Sequence, residues 1–421
     1  MTRKLLDDCF LHDKDRLTHD EALAILTGRL RPVTGTERVP LAEATGRILA
    51  ETVTAPRDIP AHTNAAVDGY AFAHAHYDRE RGTRFRLAGR AAAGHALSQA
   101  IGPEEAARIF TGAVMPQGTD SVAMQEDVQA EGDWVFVPGG LKPGANRRMA
   151  GEDVRANALL IEAGMRLRPQ DIAALAATGA GDVLCYRRLR VGVVSTGDEL
   201  LQAGSPFSEG RVYDANAPML LALSGLAGHP ASFLGVLPDK AALVREKLAE
   251  AAASHDVIIT SGGASRGEED HVVKSLDALG SLKMWQLAIK PGRPMSFGQI
   301  GDSVFLGLPG NPVAVFVCFL LYATPVLGLL GGGQWRQPRR YPVAAGFALR
   351  RRKTGRREFL RGMLRGDADQ LCVKPYPQDG SGLISSLRAS DGLIEIAEAI
   401  EAIDEGQAVS FIPYSEFGIH S

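Results

Sequence analysis

Cysteine is sparse in this chain. Its 421 residues hold four, Cys9, Cys185, Cys318 and Cys372, scattered and with no Cys-x-x-Cys spacing. That argues against a disulfide framework or a thiolate zinc site and fits a reducing compartment. Excess charge is also missing. The net charge is −3 at pH 7, so no nucleic-acid or membrane-surface partner is implied, and an anionic ligand would need local clusters of cations. The opening residues, Met1-Thr2-Arg3-Lys4-Leu5-Leu6-Asp7-Asp8, lack a long apolar region, so no secretory signal is expected and the location is read as cytoplasmic. One segment, from Val313 to Gly333, lacks charge altogether and is long enough to span a bilayer. Pro325 near its middle, the Gly331-Gly332-Gly333 end and the tight turn Pro309-Gly310-Asn311-Pro312 at its start favour a buried helix packed on a sheet.

What the chain does contain is an ordinary globular composition, 45% hydrophobic and 23% charged. At this length two to four domains are expected. Arg190-Val191-Gly192-Val193-Val194 reads as a buried strand that ends in Ser195-Thr196-Gly197-Asp198-Glu199. A second run, Asp256-Val257-Ile258-Ile259-Thr260, ends in Ser261-Gly262-Gly263-Ala264-Ser265-Arg266-Gly267, followed by Glu268, Glu269 and Asp270. Two helical patterns and one more strand lie between them, the alternation of a parallel sheet covered by helices. Ligands of such sheets bind beyond the carboxyl ends of the strands. Glycine lets backbone N–H groups approach an anion there, and a helix N-terminus adds a favourable field. The acids would repel phosphate unless a divalent cation lay between, which points to Mg²⁺.

Along the rest of the chain, Thr18-His19-Asp20-Glu21 forms a capping box ahead of a helix carrying Ala22, Leu23, Ile25 and Leu26. A second helix is expected over Leu41 to Ala50. Asn64-Ala65-Ala66-Val67-Asp68-Gly69-Tyr70-Ala71 reads, on its Asp-Gly, as a plain turn. Short alternating segments from Phe85 to Val137, punctuated by Gly and Pro, suggest an inserted β barrel or sandwich. A surface salt-bridge cluster accounts for Asn146-Arg147-Arg148 and Gly151-Glu152-Asp153. Pro169 and Gly179 bracket a helix. Asp214 is placed to cap the helix Ala217 to Leu226, Ala231 to Val236 is a strand ending near Asp239, and Ala241 to Ala252 is an amphipathic helix. Leu282 to Ile289 is a strand leading to Lys290-Pro291-Gly292-Arg293-Pro294, whose two cations on a stiff turn point to an anion. Val304-Phe305-Leu306 is the last strand of this unit. Beyond Gly333 an Arg-rich stretch and short strands describe a second small β domain, without the interleaved aromatics of a nucleic-acid platform.

Several of these motifs occur in one order: NAAVDGYA from Asn64, Thr111-Gly112-Ala113, Gly151-Glu152-Asp153, STGDEL from Ser195, SGGASRGEED from Ser261, KPGRP from Lys290, GLPGNPV from Gly307 and the run from Gly380 to Leu387. Together they resemble the molybdopterin molybdenumtransferase family (the MoeA and gephyrin E-domain type), over residues from near 15 to near 415. The resemblance implies a multidomain α/β protein. An N-terminal helical platform (1–186) carries an inserted β unit (about 64–150). A central doubly wound, molybdopterin-binding domain (187–330) and a C-terminal small β barrel (334–421) follow. It implies a transferase of molybdenum cofactor biosynthesis that takes adenylylated molybdopterin and molybdate, inserts molybdenum and releases AMP with Mg²⁺ or a similar cation. An elongated homodimer is implied, with its site between the central domain of one subunit and the β unit of the other. So are partnerships with the molybdopterin adenylyltransferase and molybdoenzyme-maturation proteins.

On the matching positions, Asp68, Thr111, Asp153, Glu199, Asp239 and Lys290 take the family's catalytic places, with Glu199 and Asp239 as metal ligands. Ser195, Thr196, Gly197, Ser261, Gly262, Gly263, Ser265 and Asp270 form the substrate loops. Pro309 and Pro312 shape the adjoining turn. Arg293, Arg361 and Ser386 take molybdate-contacting positions. Departures are Ala65 for a frequent Ser, Gln286 for a Lys of some members, Arg293 for a frequent Lys, and His271 where an aromatic is common. A tungsten-inserting paralogue and a non-catalytic dimeric scaffold of the same fold are the alternatives.

Overall fold

The computed structural model describes residues 16–237, 240–262, 279–366 and 370–420. Asp239, Gly263, Ser265, Asp270 and His271 lie outside them.

Helix α1 (His19–Arg29) starts at the Thr18/Glu21 capping box, in which the Thr18 hydroxyl accepts from Glu21 N–H and Glu21 accepts from Thr18 N–H. Of its buried residues, His19, Ala22, Leu23 and Leu26, the three apolar ones belong to the core of the central domain. The strand β1 (Thr36–Pro40) follows. The expected helix from Leu41 to Ala50 does not form, and only a 3₁₀ turn at Leu41–Glu43 is present. Gly46 turns with φ +77°, and the backbone beyond it bridges Ile48 to Arg166 and Leu49 to Cys185. Tertiary strand partners there outweigh a local helical pattern. Next come β2 (Val53–Thr54), β3 (Asn64–Ala65), β4 (Gly69–Phe72), β5 (Thr83–Ala91), β6 (Glu105–Ile109), β7 (Ser121–Met124), β8 (Gln129–Glu131), β9 (Trp134–Val137), β10 (Arg147–Arg148), β11 (Leu159–Ile161), α2 (Pro169–Ala177) and β12 (Asp182–Tyr186). The β unit is a six-stranded sheet in the order β7-β4-β6-β5-β9-β8. The DGYA stretch is therefore more than a turn, because Gly69–Phe72 is an interior strand. Gly69 is required there, since a Cβ would fall 1.9 Å from the Ala123 carbonyl oxygen. Arg147 and Arg148 form the strand that pairs with β3.

The central domain holds β13 (Val191–Thr196), β14 (Leu200–Leu201), β15 (Val212–Tyr213), α3 (Asn216–Leu226), β16 (Ala231–Leu237), α4 (Ala241–Ser254), β17 (Val257–Ser261), β18 (Gly280–Gln286), β19 (Ile289–Lys290), β20 (Pro294–Ile300), β21 (Ser303–Leu308) and α5 (Pro312–Leu330). Its sheet runs β16-β13-β17-β21-β20-β18, the first four strands parallel and the last two antiparallel. Strand β20 was not evident from sequence and forms a hairpin with β21. Strands β17 and β21 are buried along their whole length, as interior parallel strands with both faces covered must be. Val193, Ile259 and Leu306 face α3 and α5, whereas Val194, Ile258 and Phe305 face α4. The most apolar 18-residue stretch of helix α5 has a mean hydropathy of 2.4, and 83% of its residues are buried within the fold. Its middle turn, Phe319–Ala323, widens to a π turn just before Pro325, whose ring and missing N–H an α-helical turn would not accommodate.

The C-terminal domain comprises β22 (Tyr341–Ala345), β23 (Arg357–Arg365), β24 (Cys372–Pro375), α6 (Ile384–Ala389), β25 (Gly392–Ile396) and β26 (Ala408–Pro413). Strands β23-β24-β22-β26-β25 close on themselves through a β23–β25 pairing, and β19 pairs alongside β23. That last pairing docks the KPGRP turn against the barrel.

Candidate active site

The parallel strands β13, β17 and β21 end side by side, and their loops touch. A Cβ on Gly262 would lie 3.0 Å from Thr196 Oγ1, and one on Gly310 would lie 3.9 Å from the Gly262 Cα. Gly197 sits at φ +138° with the Glu199 carboxylate folded over it, close enough that any side chain there would collide. Glu199 itself is exposed. The STGDEL loop does not lead straight into a helix, because the parallel β14–β15 pair intervenes. Asp214 is the cap of α3, its Oδ1 accepting from Asn216 and Ala217 N–H. Its Oδ2 accepts a hydrogen bond from the hydroxyl of the fully buried Ser195 at 2.5 Å. That helix end is thus satisfied internally, and the Ser195 hydroxyl joins the loop to the helix rather than facing a ligand. Ser261 is likewise buried.

Helix α5 begins at Pro312, and its first turn opens onto a cavity of about 420 Å³ between the central domain and the barrel. Gly262, Lys290, Arg293, Pro309, Arg361 and Asp379 are among its walls, together with Asn311 and Ala314 of the α5 start. Gly292 turns the KPGRP segment at φ +102° directly over Cys318 of α5, whose Sγ would lie 2.3 Å from a Cβ at that position. The turn therefore rests on the helix and holds Lys290 and Arg293 at the mouth. Arg361 is buried. Its Nε donates to Ser386 Oγ at 3.2 Å, and its Nη2 reaches the Gln378 and Gly380 carbonyls at 3.4 and 3.5 Å. Lys290 Nζ lies 2.5 Å from Asp379 Oδ2 and 3.9 Å from Glu358 Oε2. Three cations beside the N-terminus of a long buried helix suit a compact oxyanion. Pro312 lines the neighbouring cavity, next to Phe316, Leu387 and Tyr414.

In the β unit, the turn Thr111-Gly112-Ala113 after β6 locks onto β3, with Gly112 N–H donating to Ala65 O and Ala65 N–H donating to Ala113 O. This presents Thr111 to Asp68, whose Oδ1 accepts from Thr111 N–H at 2.8 Å and from Thr111 Oγ1 at 2.7 Å. Those two bonds, the backbone one foremost, hold the Asp68 carboxyl below its ordinary range. Asp153 is exposed, and its N–H donates to Ile59 O. None of these three lines the cavity at Lys290. Ala65 is buried in β3, and the Gln286 carbonyl accepts from Leu17 N–H.

The structure thus unites Gly262, Lys290, Arg293, Pro309 and Arg361, with Ser386 behind Arg361. It places Thr196, Gly197 and Glu199 on the adjoining rim, and Asp68, Thr111 and Asp153 on the separate β unit. Sequence reasoning quoted Asn311 and Ser381 only as members of motifs, without a site role, and missed Asp379; only its place beside the noted glycine-serine run could have drawn attention to it. Among the described residues no three His, Cys, Asp or Glu side chains cluster as a metal cage. An exposed carboxylate such as Glu199 fits a hydrated Mg²⁺ that takes its other ligands from water and phosphate.

Comparison with known proteins agrees with this geometry. The MoeA N-terminal region (domain I and II) matches residues 17–179, the probable molybdopterin binding domain residues 192–328, and the MoeA C-terminal region (domain IV) residues 345–414. A molybdopterin molybdenumtransferase of Haemophilus influenzae is 36% identical over 95% of this chain and 99% of its own. Molybdopterin molybdenumtransferase 2 of Mycobacterium tuberculosis is 31% identical over 92% of this chain and 96% of its own. The crystal structure of the molybdopterin biosynthesis MoeA protein of Pyrococcus horikoshii superposes with a TM-score of 0.81 at 30% identity, covering 95% of this chain and all of that one. With its three regions, its central sheet and its cation-lined cavity in that arrangement, this chain belongs to the molybdopterin molybdenumtransferase family.

Proposed function

We propose that this protein is a molybdopterin molybdenumtransferase that takes adenylylated molybdopterin and molybdate, inserts molybdenum at the dithiolene and releases AMP. The observation that carries the reading is the cavity at the ends of the parallel strands, where Lys290, Arg293 and Arg361 meet the first turn of α5. A tetrahedral oxyanion is recognised there by charge-assisted hydrogen bonds. The adjoining rim of Thr196, Gly197 and Gly262 offers close backbone approach to phosphate groups. Glu199, with Asp239 beyond the described residues, would hold a Mg²⁺, which supplies charge neutralisation as the pyrophosphate bond is cleaved. Ser195 acts through Asp214 in holding the loop.

Asp68 and Thr111 form a paired acceptor and donor on the β unit, away from the cavity of their own chain. A homodimer in which the β unit of one subunit completes the site of the other accounts for that separation. The same activity belongs to a cytoplasmic enzyme, and a molybdopterin adenylyltransferase is the natural supplier of its substrate.

The test is AMP release from adenylylated molybdopterin on addition of molybdate, with tungstate in parallel. Molybdate-dependent release is expected, and Glu199→Ala is expected to abolish it while the protein stays folded. Absence of release with either anion, from folded protein that still binds the nucleotide, would favour a non-catalytic scaffold; release with tungstate alone would make it a tungsten enzyme.

A further inference from the structure

Among the described residues that line the oxyanion cavity, one carries charge of the wrong sign. Asp379 sits among its walls with its side chain half exposed, one carboxylate oxygen 2.5 Å from Lys290 Nζ and the other 3.9 Å from Arg361 Nη1. A carboxylate spanning two cations in this way occupies the position that two oxygens of a tetrahedral oxyanion would take. We infer that Asp379 is the resident counter-anion of the cavity: the incoming oxyanion displaces it from Lys290 and Arg361, and its charge sets the affinity of the site. This rests on reading the cavity as the oxyanion site.

The local chain is built for such an exchange. Asp379 lies between Gln378 and Gly380, whose carbonyls are anchored by the buried Arg361, and Ser381 O accepts from Val313 N–H at 2.9 Å. The backbone on both sides is therefore held, so only the Asp379 side chain has to swing, and it is open to water. A buried guanidinium left without an anion is costly, and Asp379 supplies that anion between turnovers. Glu358, 3.9 Å from Lys290 Nζ, cannot replace it, because it lies largely buried against Arg352. With two cations engaged by one carboxylate, a ligand must out-compete an intramolecular partner. The consequence is a site tuned for exchange and not for retention.

The test is calorimetric titration of sodium molybdate into the full chain at fixed ionic strength. Asp379→Asn keeps the shape and an acceptor oxygen but removes the charge, and is expected to bind molybdate about tenfold more tightly. Asp379→Ser should move in the same direction, whereas Asp379→Glu, which retains a carboxylate, should stay near the wild type. Lys290→Gln should weaken binding. Equal or weaker binding by both Asp379→Asn and Asp379→Ser, with Lys290→Gln still impaired, would overturn the role of Asp379 and leave the oxyanion site standing. If Lys290→Gln and wild type were indistinguishable, the oxyanion reading itself would fail, and the inference with it.

Discussion

Acid should loosen this protein through two buried histidines. His19 and His229 are 1% and 2% exposed. Burial, reinforced by Arg357 near His19 and by Arg166 near His229, lowers each to about 4. The neighbouring acids Glu395 and Asp20 pull His19 the other way without prevailing. His229 Nδ1 accepts a hydrogen bond from Leu189 N–H, which a protonated ring could not do. His19 Nδ1 meets the Tyr322 hydroxyl at 2.8 Å and so fastens α1 to α5. The sign follows from linkage. The folded state prefers the neutral ring, so the stabilisation is complete above the unfolded value near 6.5 and is lost as pH falls from there towards 4. Between pH 7 and pH 5 each histidine should remove about 2 kcal/mol from the stability of the fold. Urea unfolding at the two pH values, followed by tryptophan fluorescence, measures the loss. His19→Gln and His229→Gln should each shrink the pH difference by about 2 kcal/mol, even though each lowers stability at pH 7. If both variants keep the full wild-type difference, the histidines are not the buried neutral groups described.

Other substitutions test the site. Thr111→Val leaves the backbone bond to Asp68 but removes the hydroxyl one, and should slow AMP release about tenfold with molybdate affinity unchanged; steady-state kinetics and calorimetry separate the two. Arg361→Lys loses the fork to Ser386 and the 378 and 380 carbonyls, and should weaken molybdate binding about tenfold. Gly292→Ala combines a positive φ with a clash against Cys318 Sγ; it should cost about 2–3 kcal/mol in urea unfolding and loosen oxyanion binding as the turn lifts off α5.

The helices carried by local chemistry were legible: the capping box of α1, the Pro169 and Gly179 brackets of α2, and the amphipathic stripe of α4. So was the burial of the charge-free segment, because Pro325 and the tight turn before it suit a core helix. The region from Leu41 to Ala50 misled, since its apolar residues find strand partners more than a hundred residues away. Strand β20 was hidden because it is buried on both faces and so shows no alternation of buried and exposed residues. The ordered motifs carried the family, and with it Asp68 and Thr111, to which residue physics alone assigned only a turn.

From its sequence alone the chain determined the alternation of strand and helix, the glycine-rich strand ends and the stiff cationic turn at Lys290. These depend on side chains close together in sequence. Only the tertiary structure decided which charges meet. It brought Arg361 to Lys290 from the barrel, aimed the start of α5 between them, buried Ser195 against Asp214 and set Asp379 across the cations. The Ser195–Asp214 contact depends on how α3 packs behind β13, whereas the pairings of Lys290, Arg361 and Asp379 depend on how the barrel docks, through β19 against β23, and no local pattern encodes that contact.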